Sequence, residues 1–299
     1  MAKTPQAHDP STWPTGDLEQ LEPLVARVLA PNASAFTYTG TQTYLVGIED
    51  LAVIDPGPAD EEHLDALIRA IDGRPIRAIM CTHTHRDHSP AAMPLAERTG
   101  APIVGCAPLR MEGGGGVEAA YDQEYEPDRV LEDGEAMTGA GWTLTALFTP
   151  GHISNHLCFA LEETGVVFTG DHVMGWSTSV IVPPDGDMGD YMASLHKLYE
   201  RDDRIYYPAH GPAVEKPKQL VRGNIGHRKA REGQILKLLT EAAQPIEDLV
   251  ARMYSGVDKR LWPAAQMSVW AHLIHLEQRG LVNRSQNIWT ARQNPAPAA

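Results

Sequence analysis

Short apolar runs closed by glycine, proline or small polar residues punctuate the first two thirds of this chain, and amphipathic stretches fill the gaps between them. The runs predict strands over Phe36–Gly40, Thr43–Val46, Leu51–Ile54, Ile76–Cys81, Leu144–Phe148, Val166–Phe168 and Ile205–Tyr207. Asp60–Ile71 reads as a helix, because Leu64, Leu67, Ile68 and Ile71 recur at helical spacing. Ser89 and Pro90 read as the cap and first position of a helix running to Arg98. Residues 1–34 form a proline-punctuated leader whose periodic piece, Leu18–Leu29, predicts a helix.

The pattern changes near Pro217. Lys218–Leu239, Ile246–Met253 and Ala264–Gly280 read as three helices, and Leu281–Thr290 reads as a small hairpin. Three helices with a hairpin match a winged-helix module, so the chain divides into 1–34, 35–215 and 216–299. Gly113-Gly114-Gly115-Gly116 lacks the strand–glycine–helix context of a phosphate loop and reads as a surface loop.

Chemistry concentrates at strand ends. Ile76–Cys81 leads directly into His83-Thr84-His85-Arg86-Asp87-His88, four metal-binding side chains within six positions. Neutral imidazoles and carboxylates suit zinc, and a site with an open coordination position is catalytic. Further strand ends carry the same residue types: His152 after Thr149-Pro150-Gly151, Asp171 after Thr169-Gly170, and His210 after Pro208-Ala209. Glycine and proline let the chain turn sharply there, so a rigid scaffold presents each side chain to open space.

These motifs, in this order, resemble the metallo-β-lactamase fold superfamily of dinuclear hydrolases over about residues 35–212. The resemblance implies an α/β, four-layer αββα domain with two divalent ions, most simply Zn2+, with Fe or Mn as alternatives. It implies one ion on His83, His85 and His152 and a second on Asp87, His88 and His210, with Asp171 bridging them. Asp55, in Ile54-Asp55-Pro56-Gly57, is then an orienter standing behind a ligating histidine. His156, four residues after His152, would lie near the metals, and Ser177 and Ser179 would line the cleft. His172, His196, His272 and His275 read as ordinary packed or surface residues. With the tail included, the chain is similar to the β-lactamase-like protein 2 group, which includes single-strand-specific endoribonucleases. Thr82–Ser89, Thr149–Leu157, Gly186–Leu195 and Tyr207–Val214 carry that likeness, although Gln42 stands where the group often has Asn.

Composition narrows the setting. At 42% hydrophobic and 21% charged, the 299 residues are those of an ordinary globular protein. Cys81, Cys106 and Cys158 are odd in number and scattered, which argues against a disulfide framework. Met1–Pro10 has no apolar stretch of a signal peptide and no run is long enough to span a membrane, so a cytoplasmic protein without a membrane partner is expected. The net charge of −14 is uneven: 13 Lys+Arg against 6 Asp+Glu from residue 216 onward give +7, which leaves −21 for residues 1–215. An acidic body with a basic tail suggests a nucleic-acid contact, or simply solvated helices.

The leading expectation is hydrolysis of a phosphodiester, single-stranded RNA, by a metal-bridging hydroxide; Asp87 orients the water and takes up its proton. Hydrolysis of a small-molecule ester, thioester or lactone at the same centre is the alternative, followed by β-lactam hydrolysis. A nucleic-acid binder with a vestigial site and a diiron oxidoreductase are the non-hydrolytic readings. The intact ligand set disfavours the former, and His85, where the diiron enzymes carry Glu, disfavours the latter.

Overall fold

The computed structural model describes residues 13–110 and 120–292, so the readings of Met1–Pro10 and of the tetraglycine run lie outside the described residues. The chain forms two compact units. The first comprises Met1–Thr149, Asn155–Ser179 and Arg201–Leu220; the second comprises Pro150–Ser154, Val180–Glu200 and Val221–Ala299.

Two sheets build the first unit. The larger has seven strands in chain order: β1 (Leu18–Glu22), β2 (Val25–Leu29), β3 (Gln42–Val46), β4 (Leu51–Ile54), β5 (Ile76–Cys81), β6 (Ile103–Gly105) and β7 (Arg129–Val130). Pairing is antiparallel from β1 to β4 and parallel from β4 to β7. Parallel neighbours need crossovers, and helices α1 (Glu61–Ile71) and α2 (Ala92–Thr99) supply two of them. The second sheet holds β8 (Ala136–Gly139), β9 (Trp142–Phe148), β10 (Leu157–Leu161), β11 (Val166–Gly170) and β12 (Ile205–Pro208), in spatial order β12-β11-β10-β9-β8.

Apolar side chains of both sheets share one core. It includes Val28, Leu45, Val53 and Met80 from the larger sheet and Leu144, Phe159 and Phe168 from the smaller. Tyr44 lies 5.0 Å from Phe168 and 5.7 Å from Tyr207, ring centre to ring centre, and so ties the sheets together. Burying each such ring contributes about 1.5–3 kcal/mol. Leu51–Ile54 and Leu157–Leu161 are buried at every position, as strands covered on both faces must be. Asp60 caps α1 by accepting the His63 N–H at 2.8 Å, with Glu61 and Glu62 in the first turn facing the helix dipole.

Three local expectations fail. The helix expected over Leu18–Leu29 is the β1–β2 hairpin, at the edge of the seven-stranded sheet. Its apolar residues satisfy both helical and alternating spacing, and Pro23-Leu24 makes the turn. The strand expected over Phe36–Gly40 is a run of turns, in which Tyr38 takes a left-handed conformation (φ +56°). Ser89 does not cap α2. Its hydroxyl donates to Asp122 at 2.7 Å, and the helix begins at Ala92.

The second unit is helical: α3 (Met188–Glu200), most of α4 (Pro217–Glu241), α5 (Ile246–Met253) and α6 (Trp262–Gln278), with the hairpin β13 (Val282–Ser285) and β14 (Ile288–Ala291). Its core gathers Ile235, Leu249, Val269, Leu273, Leu276 and Trp289. Gln244 and Trp289 exchange both backbone hydrogen bonds, at 3.1 and 3.0 Å, so the segment before α5 extends the hairpin. Among the described residues no helix is long and apolar enough to cross a membrane.

Candidate metal centre

Asp55 organises the floor of the site. It follows β4 in a left-handed conformation (φ +48°) and is 2% exposed. Its Oδ1 accepts the Thr82 N–H at 2.7 Å, and its Oδ2 accepts the Thr82 hydroxyl at 2.8 Å. The same Oδ2 lies 3.0 Å from His88 Nδ1, which therefore carries the proton. His88 Nε2 is left to face inward, 3.4 Å from Asp87 Oδ2 and 3.7 Å from Asp171 Oδ1. The loop after β5 thus has its last histidine fixed by the carboxylate at the end of the neighbouring strand.

His210 approaches from the loop after β12. Its Nε2 lies 3.1 Å from Asp87 Oδ2 and 3.3 Å from Asp171 Oδ1, and its Nδ1 lies 3.2 Å from the Gly40 carbonyl. The sequence reading missed how this loop is held. The buried Gln42 carboxamide donates to the Pro208 and Gly211 carbonyls at 3.1 and 2.7 Å, and Tyr44 OH donates to Pro208 O at 2.6 Å. Gln42 therefore clamps both sides of His210.

Asp171 sits where β11 ends. The Asp171 N–H donates to His156 Nε2 at 3.2 Å, and Ser179 Oγ donates to the Asp171 carbonyl at 2.6 Å. The other nitrogen of His156 lies 3.0 Å from Thr149 Oγ1. His156 and Ser179 are buried, and through these bonds they brace the Asp171 backbone. Gly170 (φ +48°) makes this possible: a Cβ there would meet His156 Nε2 at 2.6 Å and Thr82 Oγ1 at 2.8 Å. Ser177 is exposed, and its hydroxyl donates to the Thr178 carbonyl.

Two donor groups result in the first unit. One ligand atom each from Asp87, His88 and His210 lie within 4.8 Å of one another, and so do those of His83, His85 and Asp171. His83 Nε2 and His85 Nδ1 converge to 2.9 Å, while the Tyr121 ring stacks on His85 at 5.3 Å. His152 belongs to the second unit. It is half-buried, and its Nδ1 donates to the Val180 carbonyl at 2.5 Å, which leaves Nε2 as the nitrogen that could take a metal. Gly151 (φ +132°) seats that loop, since a Cβ would meet the Tyr191 backbone at 2.3 Å.

The electrostatics suit cations. Burial pushes the Asp87 carboxyl up, but His88 and His210 more than offset this and hold it well below the usual carboxylate range. Burial lowers the His88 and His210 imidazoles, yet Asp87 and Asp171 draw both up, joined at His88 by Asp55. Protons on these rings stand in for the positive charge that the carboxylates demand. His88 Nε2 is buried and has no hydrogen-bond partner among the described residues. An imidazole with its back nitrogen anchored and its front nitrogen unbonded, facing two carboxylates, fits a divalent ion.

Comparisons with known proteins identify the family. Residues 37–210 match the Metallo-beta-lactamase superfamily, and residues 246–289 match the Beta-lactamase associated winged helix domain. Atrochrysone carboxyl ACP thioesterase AgnL7 of Paecilomyces divaricatus is 33% identical over 229 residues, covering 76% of this chain and 68% of that protein. Lactamase-like protein adaB of Aspergillus niger is 29% identical over 317 residues, covering 95% of this chain and 90% of that protein. The crystal structure of a beta-lactamase domain protein from Burkholderia ambifaria superposes with a TM-score of 0.79 at 18% identity, covering 93% of this chain and 94% of that one. A metallo-beta-lactamase family protein from Thermus thermophilus gives 0.74 at 22%, covering 91% and 100%. At those identities the two structures establish the fold alone. The chain belongs to the metallo-beta-lactamase superfamily and carries, after its αββα domain, a beta-lactamase-associated winged helix domain.

Proposed function

We propose that this protein is a dinuclear metal-dependent hydrolase that cleaves a thioester. The observation that carries the substrate class is the 33% identity to an ACP thioesterase over 76% of the chain. It favours the carbonyl alternative over the phosphodiester reading with which the sequence began. His83, His85 and His152 would hold one ion and Asp87, His88 and His210 the other, with Asp171 shared. When bound, two divalent ions draw a nucleophile from water at neutral pH and polarise the substrate carbonyl; zinc suits the nitrogen-rich set.

The chain's own residues set the geometry. Asp87 stays ionised between His88 and His210, and its side chain is 27% exposed, so solvent reaches it. It accepts a hydrogen bond from the attacking water and orients it toward the carbonyl. Asp55, His156 and Ser179 keep the surrounding ligands from turning away. A C–O bond forms, the C–S bond breaks, and a proton from water ends on the departing sulfur. The products are a carboxylic acid and a thiol.

The basic excess after residue 215 supports RNA as the second reading. Zinc-loaded protein is assayed side by side against an acyl thioester, a lactone, a β-lactam and labelled single-stranded RNA. Thioester cleavage that is lost in Asp87→Ala and His88→Ala is expected. RNA cleavage with the thioester left intact would overturn the proposal.

A further inference from the structure

A cavity of about 610 Å³ opens beside the ligand loop in the first unit, with Arg86, Tyr121, Asp122 and Glu124 on its wall next to Ala59 and Pro90. Arg86 stands between the ligands His85 and Asp87. Its backbone N–H donates to Ala120 O at 3.1 Å, and Asp122 N donates to Thr84 O at 2.8 Å. Residues 120–122 therefore run antiparallel to the ligand loop, with a bridge between His85 and Tyr121. Arg86 Nε donates to the Tyr121 carbonyl at 3.2 Å, which fixes the root of the guanidinium.

Among the described residues, the far end of that guanidinium has no recorded partner. Arg86 is exposed and makes no ion pair among the described residues. The nearby Asp122 carboxylate is already used: Oδ2 accepts the Ser89 hydroxyl at 2.7 Å and Oδ1 accepts the Glu124 N–H at 3.1 Å. Arg86 is the one cation among the described residues lining the cavity. A guanidinium held by Nε still offers a planar pair of donors, which matches a carboxylate in bidentate fashion.

We propose that Arg86 is a specificity-determining residue that binds a carboxylate carried by the substrate. This rests on the thioester reading and names the substrate class within it. Arg86 directly precedes Asp87 in the loop, and a carboxylate a few bonds from the scissile carbonyl is the anion proposed for it. The carboxylate belongs either to the acyl group, as in a dicarboxylic monothioester, or to the thiol.

Three thioesters separate these sources: S-glutaryl-N-acetylcysteamine, S-pentanoyl-N-acetylcysteamine, and the S-pentanoyl thioester of 3-mercaptopropionate. The wild type is expected to favour one carboxylate-bearing thioester over the neutral one by about tenfold in kcat/KM, expressed mainly in KM. Arg86→Met should erase that preference, and Arg86→Lys should retain part of it. An unchanged preference in Arg86→Met would overturn the proposal. In parallel, wild type and Arg86→Met are titrated calorimetrically with glutarate. Binding about tenfold weaker in the variant supports the anion site even if no thioester is turned over, a result that would sink only the proposed function; equal affinity removes the site.

Discussion

Asp55→Asn tests the floor of the centre with a change of one atom. The carboxylate now accepts three hydrogen bonds, two from Thr82 and one from His88 Nδ1. An Asn carboxamide can keep its oxygen on the Thr82 N–H, while its NH2 group faces the Thr82 hydroxyl and His88. The hydroxyl can turn round to accept. His88 cannot do so without changing tautomer: Nδ1 becomes the acceptor and the proton moves to Nε2. That is the nitrogen lying 3.4 Å from Asp87, and once protonated it is no ligand. The backbone is spared, because Asn tolerates the left-handed conformation at least as well as Asp. Loss of such a partner behind a histidine ligand weakens metal binding by about 10–100-fold, which is about 1.4–2.7 kcal/mol. Competitive titration of the metal-free protein against a chromophoric chelator measures this, and urea unfolding shows whether the fold has changed. Unchanged affinity for both ions in a folded Asp55→Asn variant would refute the reasoning.

Two further outcomes follow from the packing around the centre. Burial holds the His63 imidazole down from the ordinary 6.5 to about 4, although its ring bonds Thr43 Oγ1 at 3.0 Å. A depressed histidine is neutral when folded, so its contribution is fully present above pH 6.5 and is lost as pH falls through about 4, a change of about 3 kcal/mol; urea midpoints across that window should fall less in His63→Gln than in wild type, and parallel curves would contradict this. Gly170→Ala should cost about 1–3 kcal/mol in thermal or urea unfolding, because the new methyl group meets His156 and Thr82 in a left-handed backbone; a destabilisation below a few tenths would show that the loop gives way freely.

The loops that carry the donor groups could be read from the chain because each such group follows an apolar strand directly, and adjacency survives folding. His83, His85, Asp87 and His88 share one loop, so their convergence requires no long-range knowledge. What braces them was hidden. Gln42 reaches Gly211 across 169 positions, and Tyr121 meets His85 from a stretch with no strand pattern. His156 was expected near the metals from its place four residues after His152. Only the fold shows both its nitrogens engaged with Thr149 and Asp171. The β1–β2 hairpin was misread because a run this short fits two periods, and the neighbouring β3 decides between them.

The central claim is that these side chains bind a pair of metal ions that share Asp171. Anomalous scattering from crystals grown with zinc, recorded on both sides of the zinc absorption edge, tests it directly. Two peaks about 3.5–4 Å apart are expected, one among His83, His85 and Asp171 and the other among Asp87, His88 and His210. No anomalous density at these residues, or a single peak with Asp171 turned away, would contradict the account.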